Sequence, residues 1–333
     1  SEMCIRDSFK EVIMDYTTTI KMVRHDGPLT VLSLENETGT AEMNNWEVYP
    51  GITLSYLEAH MEEFSCYAPL RPDVFAINHC EEGRIECRFK NGEYLYMGKG
   101  DMSVGRRSCS DYCHMAYFPS SHYHGLSVLV DEKRAQSVVD RLLEQESFSL
   151  MSLCDRFCSD SDFGIIVQEN EAMKHLFYEL YHVPPAIRHR YFRLKILEIF
   201  LFLSTFEGKM RLDRPYLTRR QVETVKAVHQ ELVADLSCHC TIEAMAERYN
   251  MAPTSLKRCF KDVYGTTMYQ YQKELRMAKA MELLVKTEKS VLEVANCVGY
   301  ENSSKFAVAF KKTAGCLPRE YRKQQAFSDR LEA

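Results

Sequence analysis

At 333 residues the chain is too long for one ordinary domain, and its length calls for about two or three. Hydrophobic residues make up 45% and charged residues 27%, the composition of a globular protein. No apolar run reaches the roughly 18 residues of a membrane span, and no charged segment followed by an apolar stretch opens the chain, so the expected compartment is the cytoplasm. The formal net charge of −5 is unevenly spread: residues 216–325 hold 18 Lys+Arg against 12 Asp+Glu, leaving 24 basic and 35 acidic residues elsewhere. A basic C-terminal third on an acidic chain points to a polyanionic partner.

Residues 1–8 show no pattern and are expected to be foreign to the fold. The 13 cysteines, with close groupings CSDYC (109–113), CDRFC (154–158) and CHC (238–240), lack the paired spacing of a structural zinc site and read as reduced thiols. Residues 9–130 predict strands. Segments rich in β-branched and aromatic residues, TTTIKMV (17–23), LTVLSL (29–34), ITLSYLEA (52–59), DVFAINHC (73–80), RIECRFK (84–90) and EYLYMG (93–98), alternate with the turn signals HDGP, YPG, EEG, NG and GKGD. The last two segments flank Asn91-Gly92 as a hairpin. Many short antiparallel strands imply a small barrel or sandwich.

Residues 131–210 switch to helical period. EKRAQSVVDRLLEQ (132–145) and NEAMKHLFYELYHV (170–183) repeat apolar residues every three to four positions. After Pro184-Pro185, residues 186–207 form a helix on which Ile187, Tyr191, Leu194, Leu197 and Leu201 share one face, either buried in its own domain or a dimer seam. GKMRLDRPYL (208–217) reads as a linker to a helical region, 218–325.

That region contains an internal repeat. TIEAMAERYNMAPTSLKRCFKDVYGTTMYQY (241–271) aligns with SVLEVANCVGYENSSKFAVAFKKTAGCLPREY (290–321): Ala246 matches Ala295 at an offset of 49, and Leu256, Phe260, Lys261, Gly265 and Tyr271 match Phe306, Phe310, Lys311, Gly315 and Tyr321 at 50. The offset changes once, so the second copy has a turn one residue longer. Each copy predicts helix, turn, helix. In the second, Ser290 and Glu293 form a capping box, Val291, Val294, Ala295 and Val298 face inward, Gly299 ends the helix, Asn302 or Ser303 caps the next, and Phe306 and Phe310 bury it. Between the copies, Met268, Tyr271, Leu275, Ala278 and Leu283 mark a joining helix of about 30 Å, close to the roughly 34 Å of one DNA turn.

Through LKRCFKDVYG, YQKELRMAKAMELL, SVLEVANCVGYENSSKFAVAFKK and GCLPREYR, residues 219–323 resemble the DNA-binding domain of the AraC/XylS family of bacterial transcription regulators. The resemblance covers about a third of the chain. It implies double-stranded DNA as partner, and an N-terminal cupin-like sensor with dimerising helices, which is similar in architecture to residues 9–210. The expected fold class is α+β: an antiparallel barrel or sandwich (9–130), a dimerising helical segment (131–210), and an all-α domain of two helix-turn-helix motifs joined by a linker helix (218–325).

On the second helix of the first copy, Thr254, Ser255, Lys257, Arg258 and Lys261 point outward; by resemblance Thr254, Lys257 and Arg258 read bases, while Lys261 suits phosphate. In the second copy Ser303, Ser304, Lys305, Ala307 and Val308 are outward. Many family members carry Arg where this chain has Val308, so this copy is expected to lean on phosphate contacts from Lys311, Lys312, Arg319 and Arg322.

Histidines 60, 79, 114, 122 and 124 fall in the strand region, and HYH (122–124) places two imidazoles on one strand face. His79, His122 and His124 are candidate effector contacts. The glycine and glutamate that accompany metal-binding cupin histidines are missing, so no metal, cofactor or catalytic residue is expected, and no Ser-His-Asp, phosphate-loop or dinucleotide signature occurs. Three readings remain: an effector-responsive regulator acting as a homodimer, with RNA polymerase as partner if it activates; a regulator whose N-terminal half only dimerises or binds a protein; and a cupin-type metalloenzyme fused to a DNA-binding domain.

Overall fold

A computed structural model describes residues 18–67, 73–88, 92–106, 113–143, 148–158, 165–206, 215–237 and 241–332. Residues 1–17, Asn91 of the predicted hairpin turn, Cys109, most of the linker 208–217, and the grouping 238–240 lie outside them. The chain divides into two compact units, 1–216 and 217–333.

The first unit is built on antiparallel strands β1 (Thr19–Asp26), β2 (Leu29–Asn36), β3 (Gly39–Tyr49), β4 (Ile52–His60), β5 (Glu63–Tyr67), β6 (Val74–Arg88), β7 (Glu93–Gly98), β8 (Met102–Arg106), β9 (Cys113–Tyr117) and β10 (Tyr123–Asp131). Their order is β1-β2-β3-β4-β10-β6-β7, with β8 beside β6, a short β11 (Ile165–Val167) beside β8, and β5 paired with β9 apart from the rest. Two expectations change here. DVFAINHC and RIECRFK are one 15-residue strand, β6. The EEG between them is a bulge: the register against β10 shifts at His124/Gly125, and Gly83, at φ +78°, lets the strand absorb an extra residue and continue. Strand β3 went unread because GTAEMNNWEVY is too polar for a strand with one buried face.

Alternation along β10 separates two cores. Leu126, Val128 and Val130 join Ile52, Leu54, Phe75 and Ile77 against the helices, whereas Tyr123 belongs with Leu34, Ala59, Cys80, Met97 and Phe118 on the other face. The helices are α1 (Glu132–Leu143), α2 (Leu150–Cys158), α3 (Glu171–Tyr181) and α4 (Arg188–Thr205). Asn170 caps α3 through the Met173 amide. Segments 9–130 and 131–210, expected as separate regions, thus share one hydrophobic core.

Helix α4 buries a face the sequence did not single out: Phe192, Ile196, Ile199, Phe200 and Leu203. Of the residues expected to act together, Tyr191 and Leu197 pack at the core's edge, while Ile187, Leu194 and Leu201 are 48%, 66% and 44% exposed. Charged residues (Arg190, Arg193, Lys195, Glu198) are interspersed with the apolar ones on more than one side, so the period could not choose a face. Lys195 is drawn into the buried side, its ammonium 2.9 Å from Glu179 and 2.6 Å from Glu198; these carboxylates hold its pKa above the usual value despite desolvation.

The second unit is helical: α5 (Arg219–Ala234), α6 (Ile242–Arg248), α7 (Pro253–Tyr264), α8 (Met268–Lys286), α9 (Val291–Cys297), α10 (Ser303–Ala314) and α11 (Pro318–Glu332). No described helix is long and apolar enough to cross a membrane.

Candidate nucleic-acid interface

The two copies superpose bond for bond in their turns. The Met251 amide donates to the Ala246 carbonyl at 2.9 Å, and the Tyr300 amide to the Ala295 carbonyl at 2.8 Å. The residue just before each donor is left-handed: Asn250 at φ +49° and Gly299 at φ +77°. Asparagine is the residue other than glycine that visits this region most readily, so both copies reach the same turn by different chemistry. At Gly299 a Cβ would press on the Leu236 carbonyl at 2.9 Å. Between helices the first copy has residues 249–252 and the second 298–302, the one-residue difference seen in the offsets.

Caps and cores fix the helices. Thr241 caps α6, and the Ser290–Glu293 capping box is present at α9. Asn302 resolves the choice at α10, accepting from the Ser304 and Lys305 amides at 2.9 and 3.0 Å. Helix α7 starts instead on Pro253 after Ala252, with no side-chain cap; proline has no amide hydrogen there to satisfy. Leu256, Cys259 and Phe260 in the first copy and Phe306 and Phe310 in the second are fully buried. Small Ala246 and Ala295, 2% and 0% exposed, allow the helices of each copy to approach. Helix α8 serves both copies: Tyr271 contacts Phe260 and Tyr264 at 5.7 and 5.2 Å, and Met277, Ala280 and Leu284 join the second core. Ala278, one of the residues whose spacing marked this helix, is exposed.

With the apolar sides consumed, the remaining face of α7 is polar, and that of α10 is polar apart from Val308. Thr254, Lys257, Arg258 and Lys261 are exposed and Ser255 is half-buried; Ser303, Ser304, Lys305, Lys311, Lys312 and Arg319 are exposed. Lys257 lies 3.9 Å from Glu243, both side chains in solvent, a pairing of about 0–1 kcal/mol that a phosphate or base edge displaces at little cost. Val308 stands in the middle of the α10 face, 72% exposed. Arg322, named for phosphate, is anchored to the backbone: its Nε donates to the Leu284 carbonyl at 2.9 Å and an amino group to the Lys289 carbonyl at 2.6 Å, closing the C-terminal end of α8. Arg276 does the same for α5 through the Leu236 carbonyl at 2.8 Å.

In the first unit, the three histidines proposed as effector contacts lie on the side of the sheet that meets the helices. His79 is 2% exposed and stacked on Phe177 with ring centroids 4.2 Å apart. Burial lowers its pKa to about 4, so it is a neutral core residue at neutral pH. His124 meets the edge of Tyr181, and His122 approaches His60. The opposite face carries something the linear sequence hid. Asn45, Ser55, Ser127, Asn78 and Ser103 pair in register across β3, β4, β10, β6 and β8. Ser55 donates to Asn45 at 2.5 Å, Ser127 to Asn78 at 2.7 Å, and Asn78 to Ser103 at 3.0 Å. Among the described residues no three His, Cys, Asp or Glu side chains converge as a metal-binding group.

Residues 245–324 match the family described as a helix-turn-helix domain. The chain is 30% identical over 89 residues to the bifunctional transcriptional activator/DNA repair enzyme AdaA of Bacillus subtilis (strain 168), covering 27% of this chain and 42% of that protein. It is 31% identical over 101 residues to the HTH-type transcriptional activator RhaR of Mannheimia succiniciproducens, covering 30% of this chain and 37% of RhaR. With the RCS-specific HTH-type transcriptional activator RclR of Escherichia coli (strain K12) it shares 33% identity over 98 residues, 29% of this chain and 34% of RclR. The chain thus spans less than half the length of these relatives.

Proposed function

Starting from an AraC-type helix-turn-helix domain in residues 245–324, we propose that the protein is a cytoplasmic, sequence-specific DNA-binding transcription regulator. The observation that carries this is the duplication itself: two scaffolds with matched turns, each leaving one helix face outside its core, those faces bearing Lys257, Arg258 and Lys261 in α7 and Lys305, Lys311 and Lys312 in α10. Arg or Lys reads guanine in the major groove, and two reading helices joined by α8 suit successive grooves. Footprinting of the full chain on genomic DNA tests it. Two protected segments one helical turn apart support the reading, and a single segment or none overturns it. No catalytic or cofactor role is assigned.

The regulator reading extends to an effector and a dimer. The polar row Asn45–Ser55–Ser127–Asn78–Ser103 offers neutral donors and acceptors along one sheet face, suited to an uncharged, hydroxyl-bearing small molecule. Effector binding there shifts the population competent for two adjacent DNA sites. In a thermal-shift screen of sugars and other metabolites, a stabilising compound should lose its effect in Asn78→Ala; an effect unchanged in that variant removes the row from the site. Leu194 and Leu201 on the exposed side of α4, with Ile187 just before its first turn, recur every seven residues, the spacing of a helix-pairing seam. A second copy of the chain would cover them, and Leu194→Glu should then halve the mass seen by sedimentation. Activator relatives favour activation, with RNA polymerase as the further partner.

A further inference from the structure

Beyond the last turn of α3, the helix-facing side of the sheet carries five titratable side chains that the DNA-binding reading does not use. His124 sits in register between Glu58 on β4 and Glu82 on β6. One residue pair further out, His60 ends β4 and His122 precedes β10. The Nδ1 atoms of His60 and His122 are 3.4 Å apart, while the ring centroids are 5.2 Å apart with the ring planes 28° from parallel, so the two offset rings approach through their Nδ1 edges. Their outer nitrogens are engaged by carboxylates: His122 Nε2 is 3.2 Å from Glu82, and His60 Nε2 is 3.4 Å from Glu58.

A carboxylate only accepts hydrogen bonds, so each Nε2 carries the proton and donates. In the neutral rings that leaves a lone pair on each Nδ1, and the two lone pairs face one another across 3.4 Å. Facing lone pairs repel. A proton on one Nδ1 would make this pair an N–H···N hydrogen bond; a metal ion held between the two nitrogens removes the same repulsion. A metal bonded to both nitrogens at about 2.05 Å would subtend an angle of about 112° at this separation, close to tetrahedral. A carboxylate on the far nitrogen of each ligating imidazole is the usual support for such a ligand: it fixes the tautomer and raises the basicity of the coordinating nitrogen. The backbone also holds the pair in place. A Cβ on Gly39 would strike the His60 carbonyl, and one on Gly83 the His122 carbonyl, so both histidine-bearing segments are seated against glycines.

We propose that His60 and His122 bind one divalent late first-row cation, Zn²⁺, through their Nδ1 atoms, with Glu58 and Glu82 as supporting acceptors and water completing the coordination. Two imidazoles select zinc, copper or nickel over magnesium and calcium, and the angle suits a tetrahedral ion over a square-planar one. The site is on the helix-facing side of the sheet, opposite the polar row, and stands whether or not the DNA-binding reading does.

The test uses the full chain with its thiols blocked by iodoacetamide, since 13 cysteines would otherwise bind zinc. Dialysis against Zn²⁺ followed by metal analysis should give one ion per chain, and Mg²⁺ none. His60→Gln and His122→Gln should each weaken binding at least tenfold, and Glu82→Gln by about tenfold. Melting temperatures of these surface variants report whether they remain folded. As a measurement on the unmutated protein, Co²⁺ should give the intense visible bands of a four-coordinate ion. Substoichiometric zinc in the thiol-blocked protein, undiminished zinc in the chain carrying both His60→Gln and His122→Gln, or a six-coordinate cobalt spectrum would each overturn the assignment.

Discussion

The two helix-turn-helix copies share their turns, their buried aromatics and their supporting helix, yet differ on the side that faces outward. In α7 the outward face carries Lys257 and Arg258; in α10 the corresponding stretch has Lys305 and an exposed Val308. Duplication has preserved the scaffold and released the surface. A core aromatic is constrained by several neighbours at once, whereas an outward side chain answers only to the ligand. The same scaffold can therefore carry one face that reads bases and another that mainly holds phosphate.

The largest effects should come from the parts the copies share. Phe260→Ala and Phe310→Ala each open a cavity in a closed core, and each should cost about 3–5 kcal/mol in denaturant unfolding; a loss below about 1 kcal/mol at either site would mean the cores are not equivalent. A pH effect should separate the copies. His229, on the helix that packs against the first copy, has its pKa lowered to about 4 by burial and sits 2.7 Å from the Tyr271 hydroxyl. Unfolded, it takes up a proton near its ordinary 6.5. Between those values the unfolded state binds more protons, so stability is full above about pH 6.5, falls as the pH drops towards 4, and changes no further below it. The loss should be about 2 kcal/mol after allowance for its partial exposure. Amide exchange should quicken in α6 and α7 over that range and not in α9 and α10, and His229→Gln should remove the difference.

On DNA, Arg258→Ala should cost about 1–3 kcal/mol and relax the preference at one base pair, while Lys312→Ala should weaken all sequences alike and lower the salt slope by about one. Equal losses on operator and random DNA for Arg258→Ala would erase the division between the copies. Val308→Arg should add a base preference to the second copy. The smallest expected difference is at the helix starts: Asn302→Ala should cost about 1 kcal/mol, whereas Ala252 of the first copy has no cap to lose.

Local chemistry explains what could be read from the residues alone. The repeat was legible because caps, turn residues and inward aromatics recur within each 30-residue stretch. The single offset change at the turn was enough to place the longer loop before Asn302. Relations set by distant partners were not legible. The inner face of α4 depends on which side the sheet lies, and a helix whose charged residues are spread over several sides leaves both answers open. The polar row needs the register of five strands. The anchoring of Arg322 could not be read, because nothing near it in sequence announces the Leu284 carbonyl. His60 and His122 are 62 residues apart and meet only because β4 and β10 are neighbours.

Helix α8, 19 residues long and set into both cores, acts as a ruler. On the proposed reading, neither copy can shift without distorting the helix they share, so the spacing of two half-sites would be set by protein rather than by a flexible tether. One base pair inserted between them would turn one half-site by about 35° relative to the other, and the chain has no loop in α8 with which to follow it. Operators for this protein should accordingly tolerate base changes within a half-site far better than a change in the distance between them.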